Sequence, residues 1–174
     1  HVLDADDYFL SPLKLQKQVD FLEAHPDYVA VGHNTVLYYP DHSMALITAE
    51  AEEKTYHYFQ SVNFDYYCHT SSLLFRKIVP SLPDYFMHSS MRGDTAFFFF
   101  HVYMTKLKVK YFPDIHSVYT YHYKGIWSAL NADEKRKIHS ALFSCLSQWV
   151  VKNPEQIEAV FLENHLQKTL QNND

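Results

Sequence analysis

Residues 1–32 run "HVLDADDYFLSPLKLQKQVDFLEAHPDYVAVG". The first three residues read as the tail of a buried strand, and Asp4, Asp6 and Asp7 crowd its C-terminal end, where ligands sit in open α/β sheets. "SPLKLQKQVDFLEAH" (11–25) reads as a helix. Ser11 is a good N-cap, and Pro12 is tolerated at the first helical position. Leu15, Val19 and Leu22 recur at helical spacing, and Pro26 ends the element. "YVAVGHNTVLYY" (28–39) is β-branched and aromatic, a strand closed by the turn "PDHS" (40–43). Strand, acidic cluster, helix and strand in this order make an α/β unit. The chain is therefore expected to begin inside such a unit and to be the later portion of a larger domain.

Three carboxylates within four residues repel one another, and each is more stable hydrated or beside a cation. Two explanations stand. The cluster is a solvated turn leading to Ser11, or Asp4 and Asp6 hold one oxygen-seeking cation such as Mg²⁺ or Mn²⁺. A calcium EF-hand loop is excluded, because Tyr8 stands where a third ligand is needed and Leu10 follows in place of a turn glycine.

Further along, "ITAEAEEKTYHYFQSV" (47–62) is expected to be helical, and "HTSSLLFRK" (69–77) to be a short strand before Pro80 and Pro83. "MRGDTAFFFFHVYMTK" (91–106) begins with a turn and continues as a largely buried helix. "LKVKYF" (107–112) and "IHSVYTYHY" (115–123) read as two strands separated by Pro113-Asp114. The remainder is helical. Asn131 and Glu134 approximate a capping box, and Ile138, Leu142, Cys145, Leu146 and Trp149 form one apolar stripe. Asn153-Pro154 starts a last, more polar helix.

Composition bounds the function. A chain of 174 residues with 47% apolar residues can bury a real core. A net charge of −5 leaves no basic stripe to neutralise phosphates, so no nucleic-acid partner is expected. The longest apolar run, "AFFFF", is far short of the roughly 20 residues that span a bilayer. Cys68 and Cys145 lie far apart with no metal or redox spacing, which points to a reduced, cytoplasmic setting. With only Gly32, Gly93 and Gly125, neither a dinucleotide fingerprint nor a P-loop can be written. Any phosphate chemistry must run through a metal or side chains.

Two more constellations carry possible chemistry. In "RGDT", Asp94 precedes a helix. It is either a helix cap or a carboxylate kept ionised by the helix N-terminus and able to accept a proton. In "VYTYHYKGIWS", His122 follows a strand. It is either a histidine stacked in an aromatic surface patch or a neutral imidazole on a cation beside a diphosphate.

Taken together and in order, these segments resemble the inverting nucleotide-sugar glycosyltransferases of family two, which have the GT-A fold. "LDADDYFLSPLKLQKQVDFLEAHPDYVAVG" is similar to that family's segment around its DxD motif, "HTSSLLFRK" to its acceptor-side strand, "RGDTAFFFFHV" to its acidic helix motif, and "VKYFPDIHSVYTYH" to its closing segment. The resemblance covers residues 1 to 128. It implies an α/β fold, the later portion of a three-layer α/β/α GT-A domain with a mixed sheet, followed by a C-terminal helical extension over 129–174. It implies that Asp4 and Asp6 are the DxD pair, with Asp6 facing the metal–diphosphate and Asp7 supporting or binding it. Asp94 would be the general base and His122 a further metal ligand. Thr120 stands where the family often has an arginine.

The implied enzyme moves a sugar from a nucleotide-sugar donor to a glycan or lipid-linked acceptor hydroxyl, with inversion and with Mn²⁺ or Mg²⁺ as cofactor, in glycan or polysaccharide synthesis. Peripheral contact with the inner face of a membrane, through the terminal helices, is left open. The family's donor-binding segment lies before its DxD motif and is expected upstream of residue 1. The competing expectation is a non-catalytic binding or scaffold relative without the donor half. A carboxylate-metal hydrolase would need more converging His and Asp ligands than the sequence offers.

Overall fold

The computed structural model describes residues 3–47, 51–58, 60, 68–78 and 93–152, with backbone only at 147 and 149–152. The protein is α/β, with a mixed six-stranded sheet and three α-helices among these residues. In chain order they are β1 (Tyr8–Phe9), α1 (Lys14–Ala24), β2 (Tyr28–Tyr38), β3 (Met44–Leu46), β4 (Lys54–Tyr56), β5 (Leu74–Phe75), α2 (Gly93–Thr105), β6 (Lys108–Thr120) and α3 (Ala132–Lys152).

Two long parallel strands, β2 and β6, form the centre. They pair from Tyr28 opposite Lys108 to Tyr38 opposite Thr120. Short antiparallel strands line both outer edges. On β6 these are β4 (Lys54 opposite Tyr111) and β1 (Tyr8 opposite Val118); on β2 they are β5 (Ala30 opposite Phe75) and β3 (Val36 opposite Leu46). Parallel central strands are covered on both faces, and Val29–Thr35 is buried at every position. The core joins Val29, Ala30, Val109 and Tyr111 of the sheet to Phe98, Phe99, Phe100 and Val102 of α2. Leu142, Phe143 and Leu146 of α3 belong to the same cluster.

Several expectations hold. The strand over 28–39, its closing turn and the buried helix after "RG" all form. The capping box is complete, since Asn131 N–H donates to Glu134 Oε2 (2.9 Å) and Glu134 N–H donates to Asn131 Oδ1 (3.0 Å). In the α3 stripe Leu142 and Leu146 are fully buried. "HTSSLLFRK" is a 3₁₀ turn (Thr70–Ser72) running into β5. The expected last helix from Pro154, the Pro80–Pro83 break and the Trp149 side chain lie outside the described residues.

Four expectations are corrected. Helix α1 starts at Lys14, and the Ser11 hydroxyl accepts from Leu13 N–H (3.2 Å) in a turn before it. Its buried face is Lys14, Gln18 and Leu22, whereas Leu15 and Val19 are 38% and 41% exposed. The helix is rotated by one residue because Gln18 Nε2 donates to two strand-side carbonyls, Ser72 (2.7 Å) and Val31 (3.3 Å). Within 47–62, residues Lys54–Tyr56 form β4 rather than helix, since a place beside β6 satisfies their backbone in the sheet.

The two strands expected around Pro113-Asp114 are one. Between Phe112 and Ile115 the register skips two residues, and Asn34 Nδ2 donates to the Pro113 carbonyl (2.7 Å), bridging the irregularity. Leu3 lies in no strand and is 40% exposed, with residues 1–2 outside the described set. The acidic cluster thus occupies the turn that precedes β1.

Candidate functional site

The pairing of β1 with the end of β6 brings the 4–7 turn against residues 119–122. Asp7 is the anchor. It is 7% exposed, and its Oδ1 accepts the Thr120 backbone N–H at 3.1 Å. Position 120 therefore serves the loop through its main chain. Asp7 Oδ2 is buried without a hydrogen-bond partner. His69 Nδ1 lies 3.8 Å from it and also contacts Ser71 through its hydroxyl (2.8 Å) and its backbone N–H (3.3 Å). Burial pushes the Asp7 carboxyl up to about 6; the Thr120 hydrogen bond pulls it down, and Asp4 and Asp6 push it further up.

Asp6 and His122, 116 positions apart in sequence, meet with Oδ2 to Nε2 at 2.8 Å. Both are roughly half-exposed. Past His122 the chain folds back on itself. Gly125 N–H and the Ser128 hydroxyl both donate to the His122 carbonyl, and Ala129 N–H donates to Gly125 O (3.0 Å). A side chain at Gly125 would meet Ser128 Oγ at 2.6 Å, so glycine lets this turn close.

Asp94 stands in the first turn of α2, where the helix dipole favours an anion. The Thr70 hydroxyl donates to its Oδ2 at 2.6 Å, which orients the carboxylate from the 3₁₀ turn. That turn is itself fixed to the sheet by a buried hydroxyl chain, Ser71 Oγ to Ser117 Oγ (3.2 Å) and Ser117 to Thr35 (2.9 Å). The Asp4 carboxyl is raised by its partial burial and by the negative charges of Asp6 and Asp94. Residues 90 positions apart in sequence thus share one electrostatic site.

All five sequence-derived residues, Asp4, Asp6, Asp7, Asp94 and His122, gather at the carboxyl ends of the central strands. Sequence reasoning missed His69, Thr70 and Tyr119. His69 stacks on Tyr119 with ring centroids 4.5 Å apart, and the Tyr119 hydroxyl is raised by burial and by the surrounding carboxylates. The polar run "HTSS" in front of an apolar strand was the available signal, since polar residues placed there need partners.

The Asp6–His122 pair offers one carboxylate and one imidazole donor, of types that suit a dication, and the buried Asp7 Oδ2 is left without a hydrogen-bond partner. Among the described residues no three His, Cys, Asp or Glu side chains converge so as to hold a metal ion together. The arrangement fits an ion held by one or two protein groups, with its other positions filled by water and phosphate oxygens.

The fold and site define an α/β protein with an acidic centre at the carboxyl ends of its parallel strands. No family model matches the chain, and no curated protein matches it. Among the described residues no helix is long and apolar enough to cross a membrane.

Proposed function

We propose that this chain is the metal-binding and acceptor-side half of an inverting nucleotide-sugar glycosyltransferase with the GT-A fold. The observation that carries this reading is the convergence of two chemically distinct carboxylate groups. The Asp4–Asp6 turn carries His122 on Asp6, Asp94 stands at a helix N-terminus, and the Asp94 charge is felt at Asp4. Such a displacement needs negative charge neutralised at the leaving diphosphate and a base at the incoming hydroxyl, and the two groups stand at one site without being one cluster.

Asp6 and His122 would hold Mn²⁺ or Mg²⁺, flanked by Asp4. When bound, the ion neutralises the departing nucleoside diphosphate. Asp94 accepts the proton of the acceptor hydroxyl as that oxygen bonds to the anomeric carbon from the face opposite the leaving group. The diphosphate leaves with the bonding electron pair, so no second carboxylic acid has to protonate it, unlike the acid–base pair of a glycosidase. Thr70 aims the Asp94 carboxylate, and Asp7 ties the metal-side turn to β6 through Thr120. A glycan or lipid-linked acceptor and a role in glycan synthesis go with this chemistry. Cys68 and Cys145 are not joined in a disulfide; a cytoplasmic setting, with peripheral membrane contact compatible with it, goes with this reading.

Nucleotide release from UDP-, GDP- and dTDP-sugars with Mn²⁺ tests the proposal, using the full native reading frame beside this chain. Release by the long form, abolished by EDTA and lowered at least about 100-fold by Asp94→Asn, is expected. Neither release nor metal-dependent nucleotide binding by either form would replace the transferase with a scaffold protein of the same fold.

A further inference from the structure

The 3₁₀ turn Thr70–Ser72 touches the acidic centre from two sides. His69, which caps it, has Nδ1 3.8 Å from Asp7 Oδ2 and its ring stacked on Tyr119. Thr70, the next residue, donates its hydroxyl to Asp94 Oδ2 at 2.6 Å. Adjacent Cα atoms are about 3.8 Å apart, so one peptide unit joins the support of the metal-side turn to the support of the helix carboxylate. Ser71 anchors that unit. Its hydroxyl donates to Ser117 Oγ (3.2 Å), which meets the Thr35 hydroxyl at 2.9 Å, and the same Ser71 oxygen is 2.8 Å from His69 Nδ1. Further along β6 from Ser117, the Thr120 N–H holds Asp7 (3.1 Å). The contacts therefore close a circuit from Asp94 through Thr70, Ser71 and β6 back to Asp7. On its far side the turn is tied to α1, where Gln18 Nε2 donates to the Ser72 carbonyl (2.7 Å).

Packing does not call for this chemistry. Ser71, Ser117 and Thr35 are at most 1% exposed, and bonded pairs of buried hydroxyls can be exchanged for apolar groups of the same shape at little net cost. What the hydroxyls add is direction, because a hydrogen bond fixes length and angle where apolar contact fixes neither. An in-line displacement needs such direction, since a misplacement of about 1 Å between reacting groups can slow it about 100-fold. We propose that Ser71 is a positioning residue that sets the spacing between the Asp94 carboxylate and the Asp4–Asp7 turn, acting through Thr70 on one side and His69 on the other. This deepens the transferase reading above and rests on it for the purpose of the spacing, though the spacing can be read without turnover.

Ser71→Ala tests the anchor. It leaves Ser117 bonded to Thr35, so no orphaned hydroxyl is buried and the chain should still fold. Thr70→Val is nearly isosteric and removes only the Asp94 contact, which Thr70→Ser restores. Three-bond NMR couplings in this chain report whether the Asp94 and Asp7 side chains each keep one χ1 rotamer, with Asp133 at the start of α3 as the control. In the unaltered chain both aspartates should hold one rotamer. Ser71→Ala should average both, Thr70→Val should average Asp94 alone, and Asp133 should not change in any variant. A loss of stability alone would move none of these couplings while the chain stays folded. In the long form Ser71→Ala should lower kcat by about 10- to 100-fold and leave the donor KM within about twofold. A single rotamer at either aspartate in Ser71→Ala, or averaging already present in the unaltered chain, overturns the proposal. Averaging of both in Ser71→Ala with no nucleotide release by the long form keeps the positioning role and removes the transferase. Release with kcat unaltered by Ser71→Ala overturns the positioning role and leaves the transferase.

Discussion

Replacing Lys14 by methionine should change how the stability of this protein depends on pH. Lys14 is fully buried on the inner face of α1, with its Nζ 3.0 Å from Gln18 Oε1 and 4.3 Å from the centroid of the Phe9 ring. Among the described residues no carboxylate pairs with it. Burial pulls its ammonium from the ordinary value of 10.5 down to about 7, with Cys68 opposing weakly. Between those limits the unfolded chain binds a proton that the folded chain does not, so stability rises as pH rises through the window. The penalty is fully present below about 7. A fall of this size corresponds to roughly 4–5 kcal/mol, an upper figure because water penetration softens it. Methionine has similar length and no charge, so Lys14→Met removes the penalty. It leaves Gln18 Oε1 without its donor, at a cost of about 1–3 kcal/mol. The variant should therefore be about 2 kcal/mol more stable near neutral pH. Urea unfolding followed by circular dichroism at several pH values between 7 and 10.5 measures both proteins. The stability difference, in which all other titrations cancel, should fall by several kcal/mol across that range. A difference that stays flat would refute the buried-charge account.

Elsewhere, His122→Ala or Asp6→Asn should weaken Mn²⁺ binding at least about tenfold, measured by electron paramagnetic resonance of free Mn²⁺; unchanged affinity would detach the pair from the metal. Asn131→Ala breaks the reciprocal cap of α3 and should cost about 1 kcal/mol in urea unfolding, most of it restored by Asn131→Asp. His33 is buried, and burial lowers its imidazole from 6.5 to about 3. Below 6.5 the unfolded chain takes up a proton that the folded one refuses, so stability falls as pH drops toward 3. Nitrogen chemical shifts of His33 should report a neutral ring midway through that range, and a protonated ring there would contradict the packing around it.

Much of the site could be read in the sequence, because its residues announce themselves chemically. Three aspartates within four residues and an aspartate opening a helix are local patterns; Asp94 stands at its helix start as expected, while the cluster lies in a turn before β1 and not at the end of a strand. The central strand over 28–39, the phenylalanine-rich helix and the Asn131–Glu134 cap were equally local, set by β-branching, unbroken hydrophobicity and side-chain reach. The rotation of α1 was not legible. Helical periodicity weighs Leu15 and Val19 as core, yet the helix turns Gln18 inward, where distant carbonyls of Val31 and Ser72 await a donor. Nor could the strand at Lys54–Tyr56 be seen, since its backbone partners lie more than fifty residues away on β6.

What the sequence by itself determined was which residues could do chemistry and which segments would be buried, because charge, hydrophobicity and capping act over a few residues. Only the tertiary structure decided that Asp6 meets His122, that Thr70 aims Asp94, and that Asp7 hangs from the Thr120 amide. Those contacts depend on strand register and crossover, and register is set by the summed pairing of whole strands, which no short stretch of chain contains.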